Sequence, residues 1–227
     1  SPRSTSRVLN VQAYLNYDRT FGKHHVAGLA LLNRNSNTAA SSNAIYNFIP
    51  SNFRGYSGRI SYDYDQKYLF QVNAGYNGSD RFIGSNRYGL FPAVSAGWVL
   101  SEEPFFKSNV PFVDLLKFRA SYGLVGNDAL GSNFSYYYQQ NYGIGNGVVP
   151  TDFGYSSNQY QSIFEGSLAN EQVSWEKEKK LDLAVEFAFW KTVITGSVNY
   201  FDNNRLISSP YGERSRPSLG RVYRLLT

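Results

Sequence analysis

The 227-residue chain has no cysteine, no methionine and only two histidines. Without cysteine there is no disulfide framework, no thiolate metal site and no cysteine nucleophile, and the redox compartment stays open. Without methionine no translation start lies inside the sequence, and Ser1-Pro2-Arg3 lacks the apolar core of a signal peptide. The chain therefore reads as an internal fragment or a processed product. Long apolar runs are missing as well: the longest, Val26 to Leu32 with Gly28 inside it, is far shorter than the roughly 20 residues of a membrane helix. That absence does not exclude the membrane, because barrel strands carry only an alternating signal that hydropathy averages erase.

What is abundant is aromatic. Nineteen Tyr, 16 Phe and 3 Trp make 17% of the chain, alongside 20 Gly. Tyrosine is a good strand former with an apolar body and a polar tip, and glycine supplies turns. Both a soluble β-sandwich and a membrane barrel fit this mixture. The net charge is +5, with basic residues scattered until Arg205, Arg214, Arg216, Arg221 and Arg224 crowd the C-terminal stretch. There is no basic stripe and no nucleic-acid-binding motif, so no nucleic-acid partner is expected, and the arginines read as a solvated tail.

Apolar residues recur with a period of two. In 7–18 they are Leu9, Val11, Ala13, Leu15 and Tyr17; in 25–34, Ala27, Leu29 and Leu31 share a face. In 56–65, Ile60, Tyr62 and Tyr64 oppose Arg59, Ser61, Asp63 and Asp65, and in 68–77, Tyr68, Phe70, Val72, Ala74 and Tyr76 oppose Gln71, Asn73 and Asn77. Further strands fall at 90–100 (Val94, Ala96, Trp98), 115–125 (Leu116, Phe118, Ala120, Tyr122) and 192–202 (Ile194, Val198, Tyr200). The cleanest is 180–189, where Leu181, Leu183, Val185, Phe187 and Phe189 alternate with Lys180, Asp182 and Glu186. This gives about eight strands of about ten residues, the length of a tilted membrane-barrel strand.

Short connections at 19–24, 66–67 and 190–191 alternate with long ones at 35–55, 78–89 and 126–179, the rhythm of periplasmic turns and extracellular loops. The connection at 101–114 is long for its place in that count. Arg59, Asp63, Lys117, Arg119, Asp182 and Glu186 all fall on the polar side, which fits a watery lumen behind a lipid-facing apolar side. A Lys or Arg facing mid-bilayer lipid would cost roughly 2–4 kcal/mol. A half-exposed soluble antiparallel sheet shows the same alternation. Aromatics near strand ends suit interfacial girdles, although plain strand propensity also places them there.

Catalysis has little material. His24 and His25 are adjacent at a strand start, so their side chains point to opposite faces and cannot hold one metal. Neither lies in a serine-hydrolase motif, and a surface or turn role is expected. Gly143-Ile144-Gly145-Asn146-Gly147 lacks the lysine and following helix of a phosphate loop and reads as a flexible loop. Glu102-Glu103 and the Asp63/Asp65 pair are the remaining candidates for paired-carboxylate chemistry, and Asp63/Asp65, at a turn beside Lys67, read as a solvated turn rather than an acid/base pair. No enzymatic activity, metal or cofactor is expected. Within 126–179, Phe134, Tyr136, Tyr137, Tyr138 and Tyr142 stand in an Asn/Gly/Gln/Ser-rich context. Flat apolar rings with amides suit a sugar- or peptide-binding lining, and they equally suit self-packing of a long loop.

Four stretches resemble SusC/RagA-type TonB-dependent transporters: Gly55–Tyr64 continuing through Lys67–Phe70; Arg87–Trp98 followed by Ser101-Glu102-Glu103; Leu115–Gly123 with Gly126-Asn127; and Trp175-Glu176-Lys177 leading to Leu181-Asp182-Leu183 and Asn199–Asp202. Their order and spacing also resemble the family's, and the resemblance covers roughly residues 7 to 206. It implies an all-β, antiparallel outer-membrane barrel of roughly 22 strands, of which this chain supplies about eight as an incomplete, open section. It also implies import of glycans, oligosaccharides or peptides, a SusD-like surface lipoprotein as lid, and energy from the TonB complex through an N-terminal part not matched here. Tyr136, Tyr137, Tyr138 and Tyr142 then become candidates for substrate or lid contact. Residues 1–206 are expected to be barrel wall, and 207–227, arginine-rich with Pro210 and Pro217, an atypical basic tail. The alternative is a small self-contained barrel serving as envelope anchor or adhesin.

Overall fold

The computed structural model describes residues 5–40, 50–128, 136, 138–140, 142–145, 151–152, 159–160, 162–166, 168–209, 212–220 and 223–224. One antiparallel sheet dominates. Its strands are β1 (Thr5–Phe21), β2 (His24–Ala40), β3 (Ser51–Tyr64), β4 (Tyr68–Ser79), β5 (Tyr88–Val99) and β6 (Val113–Asn127). Between β6 and the rest of the sheet come four short strands, β7 (Tyr142–Gly145), β8 (Thr151–Asp152), β9 (Gln159–Tyr160) and β10 (Ser162–Glu165). The sheet continues with β11 (Glu176–Phe189), β12 (Ile194–Ser209), β13 (Gly212–Gly220) and β14 (Tyr223–Arg224). The spatial order is β1-β2-β3-β4-β5-β6-β11-β12-β13, with β14 also on β12, while β7 pairs with β10 and β8 with β9.

All eight strands read from the alternation are present, and sequence neighbours are spatial neighbours, joined across the gap by β6 and β11. The sheet is open: among the described residues β1 pairs only with β2. β12 is bracketed by β11 on one side and by β13 and β14 on the other, leaving no edge for β1 to close a small cylinder. Backbone pairing of β12 with β13 continues across position 206, where the resemblance and the composition divide the chain.

Directly opposed residues share a face, and the registers fix two faces across the sheet. The apolar face carries Leu15, Ala30, Gly58, Ala74 and Pro92 in one row and Val26, Tyr62, Phe70, Ala96, Ala120, Leu183 and Tyr200 in another. The polar face carries Ser61, Gln71, Ser95, Ser121 and Asp182 in one row and Arg59 and Asn73 in the next. Leu181, Leu183, Val185, Phe187 and Phe189 fall on one side, and Lys180, Asp182 and Glu186 on the other.

Ala27, Leu29 and Leu31 share a face as expected, but it is not the apolar one. In β2, Ala27, Leu29 and Leu31 oppose Ser61, Arg59 and Ser57, placing them on the polar face, while Val26, Gly28, Ala30 and Leu32 take the apolar one. Residues 26–32 are apolar on both sides, so alternation carried no parity there; pairing with β3 sets it. Strand length also differs from expectation. β2 runs to Ala40 and β3 starts at Ser51, because Asn33, Asn35, Ser36 and Asn37 pair through their backbones although they do not alternate. Beyond a hydrocarbon layer both faces of a strand meet water, and the period-two signal fades while the ladder persists.

The connections sort to two ends. At one end Gly22-Lys23, Asp65–Lys67 and Trp190–Val193 make tight turns, and a 3-10 turn (Leu100–Glu102) with helix α1 (Pro104–Asn109) fills the longer β5–β6 link. At the other end lie the β2–β3, β4–β5 and β6–β11 connections. No helix of the described residues is long and apolar enough to cross a membrane.

Candidate functional site

Exposure along β4 and β5 inverts that of a soluble sheet. Tyr68, Phe70, Val72, Ala74 and Tyr76 are all exposed, while the alternating Leu69, Gln71, Asn73, Gly75 and Asn77 are half-buried. Ile60 remains 63% exposed and Leu15 73%. An apolar surface of this extent is unstable in water and stable in lipid. The polar face instead satisfies itself laterally. Arg59 Nε donates to Asn73 Oδ1 at 2.9 Å, Gln71 Nε2 donates to the same oxygen at 3.2 Å, and Ser61 Oγ donates to Gln71 Oε1 at 3.3 Å. Glu186 lies 3.5 Å from Lys117 and 3.4 Å from Arg119. Asn33 and Asn35, higher on the same face, have buried Oδ1 atoms with no partner among the described residues.

At the long-loop end the connections fold against the polar face around an aromatic nucleus. Trp175 is 4% exposed, with Phe91 at 5.2 Å, Phe82 at 5.4 Å and Phe53 at 6.5 Å between ring centroids. Val173 is buried with them and Leu124 packs alongside. The next residue, Glu176, is buried and meets Arg205 in a two-point clamp, Nε at 2.6 Å and Nη2 at 2.7 Å, with Asn127 Nδ2 adding a donor at 3.0 Å. Arg–carboxylate forks of this geometry are the stronger kind of ion pair. Ser79 Oγ donates to Asp128 at 2.8 Å, and Arg81 Nη1 donates to the Asp128 carbonyl at 3.1 Å.

The loop tyrosines divide by environment. Tyr136 is 6% exposed; its hydroxyl donates to the Pro50 carbonyl at 3.3 Å, and burial pushes its pKa up to about 12. Tyr138 is half-buried and meets Tyr136 edge-on at 6.1 Å, and burial raises its pKa too. Tyr142 is 51% exposed on β7. Tyr137 lies outside the described residues. Gly143–Gly145, expected as flexible loop, instead form β7, since the Phe164 ring of β10 lies over Gly143 where a side chain would stand.

The remaining titratable residues act as fasteners. His24 faces the apolar side, its Nδ1 2.9 Å from Tyr62 Oη; His25 faces the polar side, between Asp63 at 2.6 Å and Asp18 at 3.1 Å. Asp65 sits in the β3–β4 turn, 3.0 Å from Lys23 and 3.5 Å from Lys67, so Asp63 and Asp65 do not address one centre. The Lys23 ammonium beside it holds the Asp65 carboxyl below the usual aspartate range. Glu103 accepts from Tyr68 Oη at 2.6 Å and Trp98 Nε1 at 3.3 Å, and the Tyr68 hydrogen bond holds its carboxyl down likewise. The sequence shows Glu103 only as one of two acidic neighbours; its two aromatic donors come from strands 35 and 5 residues away.

Apolar outside, polar inside, open at both edges, with tight turns at one end and long loops at the other, the sheet is a section of outer-membrane β-barrel wall. Its sequence is similar to TonB-dependent receptors: 33% identical to "TonB-dependent receptor SusC" of Bacteroides thetaiotaomicron over 147 residues, covering 64% of this chain and 14% of that one. It is 28% identical to "TonB-dependent receptor P3" of Formosa agariphila, covering 88% of this chain and 21% of that one. No family model matches. In fold it is similar to the RagAB peptide importer in its "closed-closed" state, with a TM-score of 0.68 at 16% identity over 96% of this chain and 26% of that one. The siderophore receptor PirA from Pseudomonas aeruginosa gives 0.58 at 13% identity over 96% of this chain and 38% of that one. The resemblance to SusC/RagA-type barrels thus holds in sequence and in fold, and the chain spans about a seventh to a fifth of the length of these curated relatives.

Proposed function

We propose that this wall serves a TonB-dependent transporter that carries glycans, oligosaccharides or peptides across the outer membrane, and that it has no catalytic role. The observation that carries the reading is the inverted exposure of the two faces, joined to the relatives' names. A lipid-facing apolar side leaves the hydrogen-bonded face of Arg59, Asn73, Gln71, Lys117, Arg119 and Glu186 to line a hydrated lumen. One similar structure is titled a peptide importer, which fits the peptide branch of this proposal.

In this reading the long-loop end is extracellular, a SusD-like lipoprotein closes it, and the TonB complex acts from the opposite end through another part of the protein. Tyr136 packs the β6–β11 connection down, and Tyr137, Tyr138 and Tyr142 furnish aromatic surface to the substrate vestibule or the lid. The test is the triple change Tyr137→Ala, Tyr138→Ala and Tyr142→Ala in the full-length protein. Labelled-oligosaccharide and labelled-peptide uptake and lid co-purification are measured at matched outer-membrane levels. The expected result is a drop of about tenfold in capture or lid association, the scale of losing one or two stacking contacts. Unchanged uptake and unchanged lid association would reduce these tyrosines to loop packing.

A further inference from the structure

On the apolar face, toward the long-loop end, the pattern of uncharged side chains stops abruptly. Arg34 of β2 and Arg54 of β3 stand directly opposite each other on that face. Like charges in such a pair are destabilising, and among the described residues neither has a carboxylate partner. Together with Arg87 they line a polar groove of about 450 Å³ floored by Gly78. Gly78 is bare for a reason: the Tyr88 ring lies over it where a side chain would stand. One acid enters the groove, Asp80, and its Oδ2 is occupied by the backbone N–H of Asn52 at 2.5 Å and Asn52 Nδ2 at 3.2 Å.

Immediately toward mid-sheet lies a second hollow, of about 460 Å³ and almost wholly apolar, made where Ala30, Gly58 and Ala74 line up across three strands. Tyr76 and Tyr88, stacked at 5.2 Å, stand between the two hollows. The other end of the same face has no such arrangement: there Tyr68 and Trp98 donate to Glu103. Arg19 of β1 also stands on this face at that end, but singly, opposite Val26 and over the Phe21 ring at 4.9 Å; among the described residues the opposed arginine pair of this face is confined to the long-loop end.

We propose that these two hollows form one binding site for a phosphorylated, multiply acylated glycolipid of the outer leaflet. Its phosphate would bridge the Arg34 and Arg54 guanidiniums, and an acyl chain would lie in the Ala30–Gly58–Ala74 trough. Guanidinium forks match phosphate oxygens, and a bridging anion removes the repulsion of the opposed pair. Basic clusters at the headgroup level of a membrane protein recognise anionic lipid heads, and the stacked tyrosines mark that level. The site faces lipid rather than the lumen, so it is independent of what the protein transports.

The test uses the full-length protein purified from outer membranes, delipidated, and titrated in neutral-detergent micelles with bisphosphoryl lipid A, dephosphorylated lipid A or inorganic phosphate, read by native mass spectrometry. Bisphosphoryl lipid A should bind with the highest affinity, and binding should weaken as salt rises. The double variant Arg34→Gln/Arg54→Gln should lose about twenty-fivefold in affinity, from roughly fivefold for each surface arginine. Ala74→Leu, filling the trough, should weaken lipid A without altering phosphate binding. Heat-modifiable gel migration verifies folding of each variant. Equal binding of the dephosphorylated lipid, or unchanged affinity in the folded double variant, would overturn the proposal. Binding of inorganic phosphate as tight as that of lipid A would overturn it in favour of a free-anion site.

Discussion

At the short-turn end three of the four strand pairs close within a few residues, and the contacts there include backbone hydrogen bonds and solvent-facing ion pairs: Asp65 N–H to the Lys23 carbonyl at 2.7 Å, Val99 N–H to the Lys67 carbonyl at 2.8 Å, and Lys23 on Asp65. At the long-loop end the strands are joined by long connections, and order comes from a buried aromatic nucleus with the buried Glu176 carboxylate, clamped by a half-exposed Arg205, beside it. The first end is stabilised by polar contacts from one tight turn to the next, such as Lys23 to Asp65, 42 residues apart. The second depends on contacts such as Trp175 Nε1 to the Arg87 carbonyl, 88 residues apart. Short loops close at little entropic cost, whereas long ones stay ordered only if burial compensates for the freedom they lose.

The contrast predicts where damage spreads. Trp175→Ala removes the ring that Phe53, Phe82 and Phe91 share. A buried Trp→Ala change costs about 3–5 kcal/mol. The loss should fall on the loop end alone: hydrogen exchange across 80–87 and 168–175 should accelerate by two orders of magnitude or more, while strand amides near Lys23 and Lys67 keep their protection. Uniform acceleration across the sheet would mean that the two ends are one cooperative unit.

The turn end allows a smaller test in the opposite direction. Trp190, Lys191 and Thr192 all adopt positive φ, at 52°, 56° and 64°. For a β-branched threonine this conformation is unfavourable by roughly 1–2 kcal/mol. It is held by Thr192 N–H donating to Asp114 Oδ2 at 2.9 Å and Trp190 N–H donating to the Phe112 carbonyl at 3.0 Å. Thr192→Gly keeps both donors and relieves the strain, so the urea midpoint of the refolded barrel should rise, by about 1 kcal/mol. A lower midpoint would show that the Thr192 side chain contributes more than its backbone strain takes away.

The same contrast explains what the sequence disclosed. Strands whose two faces differ, such as 180–189, were legible in class, side and neighbour, because lipid on one side and water on the other impose the period of two. Residues 26–32 were legible as strand but not in facing, since Leu29 and Leu31 are as apolar as Ala30 and Leu32. The extensions of β2 and β3 were invisible because water on both sides erases the pattern. The loop nucleus was the least legible: Trp175 was noted for family resemblance, and nothing local ties it to Phe82 or Phe53. Of the tyrosines marked as site candidates, residue type gave no hint that Tyr136 would be buried while Tyr142 stayed exposed.

Two carboxylates, one at each end, give the finest comparison, through opposite responses to pH. Asp65 titrates below the ordinary aspartate value of 3.8 because Lys23 and Lys67 favour its charged form. Its contribution is complete above that value and is lost as pH falls through the lower folded-state pKa. Asp80 titrates above 3.8, because burial disfavours its charge more than the Asn52 donors favour it. Its folded state is unpenalised below 3.8 and loses stability as pH rises from there through the raised folded-state pKa. Asp80→Asn retains an acceptor for Asn52 and removes the buried charge, so it should slow hydrogen exchange in 80–87 at pH 7 and leave pH 3 almost unchanged, after correction for intrinsic rates. Asp65→Asn should do the reverse at the other end, speeding exchange at Lys67 at pH 7, with high salt weakening the difference because that pair is solvent-facing. If both variants moved exchange in the same direction at pH 7, the burial of Asp80 would not be the dominant influence on its charge, and the asymmetry between the ends would rest on packing alone.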